Sequence, residues 1–116
     1  MLNLRNVVLG GLGAAAVFLA LPAQAQTVFT GAGEESELDC DGGAVSVEGA
    51  SNTLTITGDC TRLTVSGASN RITVELAAAS SIRVEGAGNQ IRWRAPGTAK
   101  PRTSIVGAGN RISQLR

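Results

Sequence analysis

One short phrase recurs through the chain: Gly49-Ala50-Ser51-Asn52, Gly67-Ala68-Ser69-Asn70, Gly86-Ala87-Gly88-Asn89 and Gly107-Ala108-Gly109-Asn110. A degenerate copy, Gly31-Ala32-Gly33-Glu34, precedes them, and the leading glycines fall 18, 18, 19 and 21 residues apart. A period of that length marks a stacked repeat, in which each unit buries its apolar face only against its neighbours.

The residues around the phrase define the unit. Before the turn come Val45 and Val47, Leu63 and Val65, Ile82 and Val84, then Thr103 and Ile105; after it come Leu54 and Ile56, Ile72 and Val74, Ile91 and Trp93, then Ile112. Both segments alternate apolar with polar, so each is a strand with one buried and one exposed face. No segment keeps a helical period, and beyond Gln26 the only aromatics are Phe29 and Trp93. Thin layers of Val, Leu and Ile suit a narrow coil better than a globular core.

The expected fold is all-β: a short single-stranded β-solenoid, parallel β-helix-like, of about five coils. The alternative is an antiparallel β-meander or small barrel, in which Val47 would face Leu54 across a hairpin. Two features favour the solenoid. Stacking demands identical turn residues at a near-fixed period, and all length variation falls in the second connection, up to Ala95–Arg102. At the turn, Gly49, Gly67, Gly86 and Gly107 accept backbone angles closed to other residues, and Asn52, Asn70, Asn89 and Asn110 tolerate the left-handed region. Stacked coils would also pile these asparagines into an amide ladder at the strand spacing of ~4.8 Å.

These Val-x-Val-x-Gly-x-Ser/Gly-Asn-x-Ile/Leu-x-Ile/Val units, with Gly58-Asp59-Cys60 after one of them, resemble the bacterial exported proteins catalogued as domain of unknown function 3060. The resemblance runs from about Thr27 to Ile112. It implies a secreted β-rich repeat domain and brings no assigned activity or catalytic residues. The first unit departs from the pattern, with Glu34 in place of Asn and Ser36 in place of an apolar residue, as in an imperfect cap.

The N-terminus reads as a signal peptide, residues 1–25. Arg5 is followed by an apolar run of 15 residues, Val7 to Leu21, and then by Pro22 and the small-x-small site Ala23-Gln24-Ala25. The run is short of the ~20 residues that cross a bilayer. The repeat domain is then 26–116, exported to the periplasm or beyond. In an oxidising compartment Cys40 and Cys60, the only cysteines, are expected to form a disulfide between neighbouring layers. With no His and no Cys-x-x-Cys, neither a metal nor a cofactor is expected. The acidic stretch Glu34 to Gly43 lacks the spacing of a calcium loop and reads as a charged cap.

Charge is polarised along the chain. From Gln26 to Cys60 there are seven acids and no base; from Thr61 onward there are nine bases and two acids, Glu75 and Glu85. In a solenoid, order along the chain becomes height along the axis, so the two ends carry opposite potentials. Arg71, Arg83, Arg92, Arg94 and Arg111 are the candidate anion-binding residues, whereas Trp93 has the parity of Ile56 and Val74 and should point inward. Glu48 and Glu85 stand just before the turn in the second and fourth units. Two layers apart they would be about 9–10 Å from each other, a separation suited to an inverting glycosidase pair, although a solvated face explains them equally.

No catalytic site is expected. The expected role is an exported structural or binding module that meets an anionic envelope glycan or lipid through its basic C-terminal half. The alternative is a small polysaccharide-acting β-helix enzyme. Head-to-tail self-association, acidic end to basic end, is a further expectation.

Overall fold

The computed structural model describes residues 26–115, and the expected signal segment, 1–25, lies outside them. Eight strands follow one another: β1 (Gln26–Ala32), β2 (Glu35–Asp39), β3 (Ala44–Ala50), β4 (Thr53–Ala68), β5 (Arg71–Ala87), β6 (Gln90–Arg94), β7 (Arg102–Ala108) and β8 (Arg111–Gln114). Every pairing among them is parallel. The chain is an all-β solenoid of about five turns, and the antiparallel alternative falls.

Each turn of the solenoid lays one segment on each of two flat faces. The first face stacks β1, β3, Arg62–Ala68 of β4, Ser81–Ala87 of β5, and β7. The second stacks β2, the start of β4, the start of β5, β6 and β8. The long strands β4 and β5 cross from the second face to the first, with register shifts on either side of Cys60. There the connections of adjacent coils differ in length, and a parallel ladder absorbs extra residues only by bulging.

Like residues stack because the glycine-centred turn never changes length. Gly31, Gly49, Gly67, Gly86 and Gly107 are register partners from coil to coil. Inside, Phe29, Val47, Val65, Val84 and Ile105 form one apolar column, and Leu38, Ile56, Val74 and Trp93 another. The middle members of these columns are fully buried, and Trp93 is only 6% exposed, so the indole faces inward. Among the described residues no strand packs beneath the last layer: β7 is exposed along its whole length, Ile105 at 46%.

At the second corner Cys40 and Cys60 are joined by a disulfide with a Cα–Cα distance of 5.6 Å, and both are fully buried. Backbone bonds from Cys40 N–H to Thr57 O (2.9 Å) and from Gly42 N–H to Gly58 O (2.7 Å) tie the same two layers.

Candidate functional site

The constant turn builds an internal polar column before it builds any surface. Asn52, Asn70 and Asn89 are buried, which requires that their amides be satisfied. The Nδ2 of Asn70 donates to Gly49 O and to Asn89 Oδ1, both at 3.0 Å. Its Oδ1 accepts from the Asn52 N–H at 3.1 Å and from Asn52 Nδ2 at 3.0 Å. Asn52 and Asn89 repeat the pattern, and Asn110 closes it with a 2.9 Å bond from Nδ2 to Gly86 O. At the top, Glu34 has no amide to offer, and its main-chain N–H donates to Asn52 Oδ1 instead.

The backbone angles correct one expectation about these asparagines. None of them adopts a positive φ; the left-handed residues of the turn are the glycine at its start and the third residue. Ser51 (φ 61°) and Ser69 (φ 59°) hold that third place in two coils, and Gly88 (69°) and Gly109 (73°) in the next two. Asn therefore occupies the corner for its four hydrogen-bonding positions and not for conformational tolerance. The leading glycine is needed twice over: Gly67 has φ 141°, and a Cβ there would collide with Gly49 O, the oxygen that accepts from Asn70.

With the interior closed, chemistry is left to the two flat faces. On the second face the outward residues change layer by layer. Glu35, Glu37 and Asp39 lie above Thr53, Thr55 and Thr57 on successive strands, and Arg71, Thr73 and Glu75 follow. Gln90, Arg92 and Arg94 come next, then Arg111 and Ser113. The sequence polarity is thus an axial gradient on one sheet. Arg71, Arg92, Arg94 and Arg111 project from three adjacent layers, and all are exposed.

Arg83 does not join them. It lies on the opposite face, with Thr64 and Ser104 as register partners, because the chain rounds the second corner between Glu75 and Ser81. Strand parity predicts in or out, but not which of two sheets the outward side belongs to. Arg83 also makes the only ion pair among the described residues, 2.8 Å to Glu85. Around it, Arg62, Thr64, Ser81, Arg102 and Ser104 line a shallow groove of about 430 Å³. Arg62 and Arg102 are register partners of Ser81 from above and below. They were legible in the sequence, since each stands five residues before its turn glycine.

Glu48, Ser66 and Glu85 form one column on this first face. Among the described residues, no group of three or more His, Cys, Asp or Glu is arranged to hold a metal ion, and no helix is long and apolar enough to cross a membrane.

Such an arrangement defines a class: a small parallel β-solenoid with an internal asparagine column, a disulfide at one corner and an axial charge gradient. A family model described as "Protein of unknown function (DUF3060)" matches residues 47–110, more than half of the sequence, and the chain belongs to that family. The match begins and ends inside the coils that carry the full turn phrase. Comparison with curated proteins and with solved structures returned no match.

Proposed function

We propose that this protein is an exported, non-catalytic binding module that holds a polyanion of the cell envelope, an acidic glycan or anionic lipid surface, on its arginine-bearing half. The observation that carries this reading is the set Arg71, Arg92, Arg94 and Arg111. Four guanidinium groups project from one sheet, and none is engaged in an ion pair among the described residues. Neighbouring layers are ~4.8 Å apart and alternate residues on a strand ~7 Å apart. A fixed grid of cations at that spacing suits a partner that repeats its charges, and delocalised guanidinium groups bind carboxylate, sulfate and phosphate alike. The disulfide and the absence of a membrane-crossing helix among the described residues are compatible with export.

A sulfated dextran and vesicles containing an anionic lipid are suitable probes, followed by calorimetry and co-sedimentation. Binding is expected at low ionic strength and is expected to fade as salt screens it. Each arginine near an anionic surface contributes about 1 kcal/mol, so Arg71→Ser, Arg92→Ser and Arg94→Ser together should weaken binding on the order of a hundredfold. Retention of full affinity by that triple variant would rule the face out.

A second reading rests on the column Glu48–Ser66–Glu85, whose carboxylates are two layers apart, about 9–10 Å, as in an inverting polysaccharide hydrolase. Glu48→Gln and Glu85→Gln variants tested on acidic polysaccharides decide it. Turnover by the wild type that both variants abolish would replace the binding reading.

A further inference from the structure

We infer that the two open ends of the solenoid are the halves of one interface, so that copies of this chain stack head to tail. In the stack, β7 and β8 of one copy pair in parallel with β1 and β2 of the next. This goes beyond polyanion binding and rests on the two end layers, sharing only Arg111 with it.

Edge geometry is the first observation. Among the described residues, β1 and β2 are paired on one side only, as are β7 and β8, and unpaired parallel edges are templates for another chain. Column register is the second. Extending the stack by one layer places Arg111, the last member of the column that starts at Glu35, against Glu35 of the next copy. It also seats Ile105, 46% exposed, on the partly buried Phe29.

The asparagine column supplies the third observation, and it is specific to the ends. Inside the fold each Asn N–H and Nδ2 donates to the Oδ1 of the coil below. Asn110 is the last asparagine of the column, and the position that a next copy would bring beneath it is Glu34, an exposed carboxylate. An acceptor-only side chain suits the first layer, because its own main-chain N–H already serves Asn52.

Charge sets the polarity of the contact. The first layer is acidic and the last basic, so like ends repel and unlike ends attract. Leu115 of one copy and Gln26 of the next meet at the second corner, the place where the fold already tolerates connections of different length.

The test uses protein recovered from the exported fraction of expressing cells, followed by sedimentation across a concentration series at low and high salt. The wild type should grow in mass with concentration at low salt and return towards monomer at high salt. Arg111→Glu and Glu35→Arg, each folded by far-UV circular dichroism and Trp93 emission, should each weaken association about tenfold, since each sets like charges together at the junction. An equimolar mixture should associate again, because every junction between unlike variants restores an opposite pair. A wild type that stays monomeric at low salt overturns the inference, as do single variants that associate like the wild type or a mixture no heavier than its parts. Arg111 is absent from the triple variant that tests polyanion binding, so the two readings fail independently.

Discussion

An asparagine amide carries two N–H donors and an oxygen that accepts twice, and the buried column spends all four. Aspartate would lack the donors, serine the reach. Asn70→Ala leaves Gly49 O and two donors of Asn52 without their partner in the buried column, and Asn89 Oδ1 with only the bond from the main-chain N–H of residue 70. With each orphaned group costing about 1–3 kcal/mol and partial relaxation, a net loss of about 3 kcal/mol is expected in urea unfolding. Asn110→Ala, at the open end, should lose clearly less. The third turn residue makes an opposite prediction. Ser69 sits at φ 59°, where an L side chain is strained by about 1 kcal/mol, and the next two coils already use glycine there. Ser69→Gly should therefore raise the urea midpoint slightly, offset in part by unfolded-state entropy. Gly67→Ala should abolish cooperative folding, since its Cβ has the Gly49 carbonyl in its way.

At the scale of elements, alternation and constant turn length made each strand's inward side legible, down to the placement of Trp93 on the Val74 column. The face of Arg83 was legible on the same ground, since it stands three residues before its turn glycine, Gly86, whereas Arg71, Arg92, Arg94 and Arg111 each follow a turn. The crossing between the two faces is where the disulfide acts. It closes a loop of 20 residues between the first two layers, the first of which carries Thr27 and Ser36 where the second carries Val45 and Leu54. Reduction, or a paired Cys40→Ala and Cys60→Ala variant, should cost about 3 kcal/mol. The emission of the single Trp93 in the fourth layer reports whether the loss stays local to the first coils or spreads through the stack.

For the whole molecule, every strand pairing among the described residues joins adjacent coils, so stability should be close to additive in layers. Duplicating Arg71–Asn89, one full turn of 19 residues without cysteine, should give a folded protein with a higher thermal midpoint. Loss of a cooperative melt would show that the layers are not interchangeable. Axial charge separation follows from the same one-dimensional order, since residues distant in sequence have no route to mix in space.

The sequence by itself determined the stack: equal turns at a near-constant period force like residues into columns, and alternation decides which side of each strand meets water. Tertiary structure alone decided two things: the glycine carbonyl as the second partner of every asparagine, and the third turn residue as the left-handed one. Each of these depends on how the backbone rounds a corner, where a small change in dihedral angles redirects a side chain and periodicity along the chain carries no record of it.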